Sequence, residues 1–319
     1  MTTHKFTAKN WFDKGQRIAY NFKEKQFLIE SNSKDSNALN VFHRLVNNSS
    51  NNSYCITMLP GFPDGSFGWA KTEQLLANDN NSQRLYVEYI GQGDSDKPKQ
   101  FSYGVMERAD LVETMWEHYG IEETFVVTFD YSSLVAMELL RRQQERKDRK
   151  TKTSKVLFIN GGLFTDAHSH PYMTTPLLKT SFGKMGTRMA QNSHFAFNLM
   201  MKDLWSKEYG VTKEELNEIF DAITRRNGAL FMHNAAGFVD EHKKHAERLD
   251  LLNIYKEMCN ELSFHIVGSE KDQFEPNQIV KAKERLGKYN VDIRMVPGGH
   301  MTTSEYPDLL ANIIKELDN

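Results

Sequence analysis

Three ionisable residues, Asp130, Asp272 and His300, have the types and placement that could do chemistry. Asp130 lies in FVVTFDYSSLVAMELLRR, residues 125–142. Phe125, Val126 and Val127 form a short apolar, β-rich run, and Leu134, Val135, Met137, Leu139 and Leu140 recur at helical spacing, with almost no loop between them. A strand that turns straight into a helix lifts one side chain above the first free N–H groups of that helix. A carboxylate there is either a helix cap or a nucleophile. Asp272, in GSEKDQFEP, is either the acid of such a site or a turn or cap residue for a helix near Asn277. His300, in PGGHMTTSEYP, is either its base or a loop histidine after Gly298 and Gly299. Ser132 and Ser133 are the alternative nucleophiles, each already inside the helix, and Glu88 is either a second acid or a structural hydrogen-bond acceptor.

The surrounding chain supplies elements that could position these groups. Short β-patterned runs at 26–30, 39–46, 54–59, 84–89, 155–160, 262–267 and 291–296 alternate, after the first two, with helical patterns beginning near Trp69 and spanning 106–119, 277–286 and 306–317. Such alternation predicts a mostly parallel sheet with helices on both faces, and the closely spaced runs at the start predict an antiparallel edge. Residues 1 to about 10 read as a loose end. From about 163 to 254 the alternation stops and only helical patterns rich in Met, Phe and Leu remain, as at 193–204 and 213–225. The expected organisation is a core domain over 1–162, a helical cap over 163–254, and the rest of the core over 255–319. In parallel sheets chemistry gathers at the C-terminal ends of strands, so a cap inserted after a strand would cover it.

Composition narrows the function. With 39% hydrophobic and 26% charged residues and a formal net charge of −2, the chain suits a sizeable α/β core and shows no pull toward nucleic acid or an acidic membrane surface. No run approaches the roughly 18 apolar residues of a membrane span. The start, MTTHKFTAKNWFDKG, lacks a signal-peptide pattern, and Cys55 and Cys259 make no metal-ligand spacing, so a soluble, cytoplasmic protein is expected. Eight Lys or Arg between 141 and 155, against Glu145 and Asp148, read as a solvated helix end rather than a binding patch. Nothing calls for a metal or an organic cofactor: GQGDS lacks the third glycine and the lysine of a phosphate-binding loop. The oligomeric state is left open, a homodimer included.

At this point the sequence resembles a known family. The order acid at the elbow, acid, histidine is that of the α/β-hydrolase fold. PGFPDGSFGW resembles the HGxP…W loop of epoxide hydrolases and haloalkane dehalogenases, GQGDSDKP their GxGxSxxP segment, and FDYSS their nucleophile elbow. INGGLF resembles the mesoderm-specific transcript branch of that family. The resemblance runs from about Trp11 to the C-terminus and is weak in the cap. It implies that Asp130 attacks an electrophilic carbon to form an ester, that His300 activates water, and that Asp272 orients His300. The backbone N–H groups of Phe62 and Tyr131 would form the oxyanion hole. The expected partner is a small apolar organic substrate, and candidate substrate-binding residues are Trp69, Tyr172, Tyr209 and Phe238. Trp69 is open to a core role instead.

The pattern has departures. The usual histidine before Gly61 is Pro60, which has no side-chain donor. Thr128 and Ser132 stand where small residues relieve the strained elbow, and Phe129 replaces the usual histidine beside the nucleophile. Epoxide opening needs a proton donor from the cap; Tyr172 and Tyr209 are available, Phe238 cannot donate, and His233 or His242 could substitute. Dehalogenation needs Trp or Asn side-chain donors for halide, which Phe62 and Tyr131 do not supply, so an epoxide hydrolase-like activity ranks above a dehalogenase. A non-catalytic ligand- or partner-binding protein of the same fold is the alternative, motivated by Thr128 and Phe129.

Overall fold

A computed structural model describes residues 6–28, 37–46, 53–62, 64–77, 82–146, 148–168, 180–228 and 237–319. Nine strands form one sheet: β1 (Gln16–Asn21), β2 (Gln26–Phe27), β3 (Ala38–Val46), β4 (Tyr54–Leu59), β5 (Gln83–Val87), β6 (Glu123–Phe129), β7 (Lys152–Ile159), β8 (Ser263–Ser269) and β9 (Asp292–Val296). Their spatial order is β2-β1-β3-β5-β4-β6-β7-β8-β9. β1 pairs antiparallel with β2 and β3, and β3 with β5; every pairing from β5 through β9 is parallel. The expected mostly parallel sheet with an antiparallel edge is therefore present.

The central strand β6 shows why this sheet must be covered on both sides. Phe125, Val127 and Phe129 enter one core and Val126 the other, as the two-residue period of a strand requires. One core packs against α3 (Val105–His118) and α4 (Ser132–Glu145); the other packs against α2 (Ala70–Leu76) and reaches the first helix, α1 (Ala8–Phe12). That first helix corrects the expectation of a loose N-terminal end. Thr7 caps it, and the Ala8 N–H reaches Glu218 at 2.8 Å, so tertiary contacts order a segment whose own pattern is too short to show. The basic run from the last turn of α4 onward is tied down by ion pairs: Arg142 meets Asp110, Glu113 and Glu138 at 2.6–2.7 Å, and Arg149 meets Glu113 at 2.6 Å.

Between β7 and β8 the described residues hold helices and no strand: α5 (Ser181–Gln191), α6 (His194–Met201), α7 (Lys213–Thr224), α8 (Phe238–Lys244) and α9 (Leu251–Met258). The chain then closes with α10 (Pro276–Leu286), α11 (Thr302–Glu305) and α12 (Pro307–Asp318). The chain runs outward from β4 to β5 and then returns to β6 on the other side of β4, so the loops after β4 and β6 diverge and leave a crevice at the strand ends. Leu59 and Thr128 are register partners, which brings Phe62 and Asp130 together across that crevice.

Candidate active site

Asp130 makes the corner between β6 and α4, with Tyr131 the one other residue between them. Its N–H continues the sheet ladder to Ile159 O at 2.9 Å, and its carbonyl accepts the Ser133 N–H at 3.1 Å. Making that corner forces φ to +55°, a left-handed conformation that is rare and strained outside glycine. The carboxylate does not cap α4. Oδ2 accepts the Phe62 N–H at 3.0 Å, and Oδ1 lies 3.6 Å from His300 Nε2, longer than a hydrogen bond.

His300 follows β9 and turns its other ring nitrogen, Nδ1, onto both carboxylate oxygens of Asp272 at 3.1 Å. Asp272 Oδ1 also accepts the N–H groups of Phe274 at 2.8 Å and Glu275 at 3.0 Å, so this residue forms a turn and grips the histidine at once. All three residues are buried. Burial by itself would push the Asp272 carboxyl up, but the His300 charge and hydrogen bond, with the two backbone donors, hold it below the usual carboxylate range. Burial would likewise pull the His300 imidazole down; the charges of Asp272 and Asp130 instead hold it well above its ordinary value. The ring sits between Phe129, 5.5 Å away, and Phe274, 5.0 Å away.

The departures in the sequence have local explanations. With Pro60 unable to hold the loop by a side chain, three consecutive carbonyls do so. Trp69 Nε1 donates to Leu59 O at 3.1 Å, the Ser132 hydroxyl donates to Pro60 O, and Gln92 Nε2 donates to Gly61 O at 2.9 Å. Phe129 fills the space over Gly61, where a Cβ would come within 2.3 Å of its ring. Relief at the elbow comes from Gly161 on the neighbouring strand end. A Cβ there would lie 2.7 Å from Ser133 Cβ, while Thr128 fits with its hydroxyl toward Leu157 O at 3.4 Å.

Other candidates fall elsewhere. Ser132 is spent on Pro60 and on Tyr89 Oη at 3.0 Å, and Ser133 reaches Gly162 O at 3.5 Å, so His300 faces Asp130 and neither serine. Trp69 is buried against Phe129 with its indole N–H occupied, a packing position. Tyr131 packs beside Phe62, and its ring lies under the Arg108 guanidinium at 4.6 Å. The Tyr209 hydroxyl is held in a latch with Lys71 at 2.8 Å and Glu215 at 3.0 Å, and nothing in that latch belongs to the Asp130–His300–Asp272 group. His242 is buried against His168 at 2.8 Å and pushed down to about 4, first by burial and then by that neighbour. Tyr172, His233 and the Phe238 side chain lie outside the described residues. Glu88 accepts from Ser66 N and Oγ, and burial pushes its carboxyl up to about 8 against the pull of those bonds and Lys97.

Three contributors escaped the sequence reading. Asn160 donates to His300 O at 2.7 Å and accepts the Ser269 N–H at 2.8 Å, fixing the histidine backbone to β8. Glu305 accepts the Gly299 N–H at 2.9 Å and the Ser206 N–H at 3.0 Å, pinning the histidine loop to the segment that follows α6. Asp64 is 2% exposed with Oδ1 unpartnered; burial, with a smaller push from Asp130, raises its carboxyl to about 7 while His300 pulls the other way. It also lines a cavity of about 280 Å³ with Phe67, Lys71, Glu215 and Ile219. The Asp-Gly pair in PGFPDGS reads as turn punctuation, which concealed it. Among the described residues no group of three or more His, Cys, Asp or Glu could hold a metal ion, and no helix is long and apolar enough to cross a membrane.

Over 197 residues, 60% of this chain, the sequence is 26% identical to the mesoderm-specific transcript protein of Mus musculus. The match spans 58% of that relative's own length. A thermophilic esterase from Thermogutta terrifontis superposes with a TM-score of 0.66 at 14% identity, covering 95% of this chain and 97% of its own. A haloalkane dehalogenase loop variant from Bradyrhizobium elkanii gives 0.65 at 15% identity, covering 86% and 91%. The chain has the α/β-hydrolase fold. No protein-family model matches it. Its sequence relatives include the mesoderm-specific transcript proteins, and its structural neighbours include both an esterase and a dehalogenase, so neither comparison selects a reaction for this α/β-hydrolase-fold protein.

Proposed function

We propose that the protein is a hydrolase that works through an ester on Asp130, acting on a small apolar epoxide. The observation that carries this reading is the pair of contacts on one imidazole: Asp130 Oδ1 at 3.6 Å from Nε2 and Asp272 on Nδ1. Oδ1 would attack an epoxide carbon and the C–O bond would break, leaving an alkyl ester on Asp130 and an alkoxide that takes up a proton. Esterification removes the negative charge that helps hold a proton on His300, so the imidazole becomes free to act as base. Nε2 then takes a proton from water, and the hydroxide attacks Cγ of Asp130. The oxyanion would develop on Oδ2, where the Phe62 N–H already points, with the Tyr131 N–H as the second donor. Collapse releases the diol as the imidazolium returns its proton to the departing oxygen, and the Asp130 carboxyl gives up its proton to regenerate the donor spent on the alkoxide.

Halide chemistry is less well supported, because the indole N–H of Trp69 is committed to Leu59 O. The proton for the alkoxide has a candidate source in Asp64, whose raised carboxyl carries a proton near neutrality. A single-turnover reaction in ¹⁸O-water tests the ester: the label should enter the Asp130 carboxylate and leave the first diol unlabelled. Label in the first diol would mean direct attack by water and end the proposal.

A further inference from the structure

The described residues hold eight large apolar side chains in exposed positions, and five of them lie within an 18-residue stretch of the cap: Phe182, Met185, Met189, Phe195 and Leu199. Scattered singly such residues need no explanation; gathered together they mark a surface meant for contact. Phe182, Met185 and Met189 recur at helical spacing on α5 and are 74%, 56% and 60% exposed. On α6, Phe197 and Met201 are buried, with the Phe197 ring 5.2 Å from Phe220, yet Phe195 and Leu199 point outward at 79% and 57% exposure. A helix anchored by one apolar face and presenting a second is waiting for an apolar neighbour.

The charge around this face narrows what that neighbour is. From 167 to 202 the sequence contains no Asp or Glu and four Lys or Arg, although the whole chain is formally −2. Lys184 and Arg188 lie on α5 itself, and the exposed Lys202 follows α6. Along this stretch the exposed Phe, Met and Leu are accompanied by cations alone, while Asp203 and the acids of α7 lie beyond it. An apolar helix face accompanied by cations is the pattern of a helix that lies in the headgroup boundary of a bilayer, its apolar face among acyl chains and its cations on acidic lipids. A second copy of the chain would bring the same cations together, which repel.

We propose that α5 and α6 dock the protein peripherally on an anionic phospholipid surface, without spanning it. The composition of the whole chain hides this patch, because acidic residues elsewhere cancel its charge. The patch is joined to the candidate site. Past α6 the chain runs through Leu204, whose carbonyl accepts the Met301 N–H at 3.3 Å, to Ser206, held by Glu305. A lipid-docked cap would therefore open toward a source of apolar substrate; that route rests on the proposed hydrolysis, whereas the docking does not.

The test is co-sedimentation of the full chain with vesicles of phosphatidylcholine alone and with about 30% phosphatidylserine added. The wild type is expected to pellet with the acidic vesicles, less with the neutral ones, and to be released as NaCl rises from about 0.1 to about 0.5 M. Phe182→Glu with Phe195→Glu, both at exposed positions, is expected to cut binding at least about tenfold with an unchanged melting temperature. Asp130→Asn is expected to bind vesicles as the wild type does, which separates docking from catalysis. Wild type left in the supernatant with acidic vesicles, or undiminished binding by the double variant, overturns the proposal. So does a wild-type dimer that the double variant dissolves while neither form binds vesicles, which would make a second copy the occupant.

Discussion

Asp64→Asn isolates the cost of a buried acid beside the candidate nucleophile. The Asp64 carboxyl moves from 3.8 in its reference state to about 7 in the fold, so between those two pH values the native state holds a proton that the unfolded chain has released. The unfolded state then binds fewer protons, and the linkage relation makes stability fall as pH rises through that window, with the full loss present above about 7. At about 1.4 kcal/mol for each tenfold change, the upper bound is about 4 kcal/mol. Local relaxation and water reaching the adjacent cavity reduce this, so about 2 kcal/mol is expected. Asparagine keeps the shape and cannot ionise. Part of the wild-type loss, between 3.8 and 5, is already present at pH 5, so urea unfolding of both proteins at pH 5 and pH 8.5 should show the variant gaining on the wild type at the higher pH by about 1 kcal/mol more than at the lower. An equal difference at both pH values would refute the argument that burial dominates this group. If Asp64 also supplies the proton for the alkoxide, the same variant loses turnover while keeping its ester-forming Asp130.

Two further substitutions probe the loop that presents Phe62. Ser132→Ala removes the hydroxyl that holds Pro60 O; turnover should fall no more than about tenfold, equivalent to one ordinary hydrogen bond, whereas complete loss would restore Ser132 as a nucleophile. Gly61→Ala places a Cβ 2.3 Å from the Phe129 ring. It should lower stability by about 1–3 kcal/mol in urea unfolding and depress turnover together, because the ring and the Phe62 N–H must move.

The parts of this site that were legible in the sequence are those governed by local pattern. The apolar run before Asp130 and the helical spacing after it specify a strand and a helix with almost no loop between them, and strained corners of this kind admit few side-chain directions. Parallel pairing followed from the alternation of strands and helices, which short hairpins could not produce. The parts that were not legible depend on contacts between distant residues. Nothing in PGFPDGS announces that Ser132, Gln92 and Trp69 converge on three successive carbonyls, because each donor comes from a different element. Asp64 and Glu88 look like ordinary loop and strand acids until burial is known, and burial is what moves their carboxyls. Tyr209 was nominated by residue type alone; which way a side chain between packed helices faces depends on how helices of different lengths stack, and here it turns to Lys71 and Glu215. The N-terminal helix was missed for the same reason, since it is held by Glu218 of α7.

The central claim is that Asp130 carries the substrate and His300 frees it. Replacing His300 by Gln removes the base while leaving Asp130 and the Phe62 N–H in place, so the first step should proceed and the second should stop. The His300→Gln protein, incubated with a panel of apolar epoxides and alkyl halides and weighed intact, should gain the mass of one epoxide, or from a halide the substrate mass less that of the departing hydrogen halide, and peptide mapping should place the adduct on Asp130. A folded His300→Gln protein that takes up no mass from any epoxide, or that carries the adduct on Ser132 or Ser133, would contradict the account.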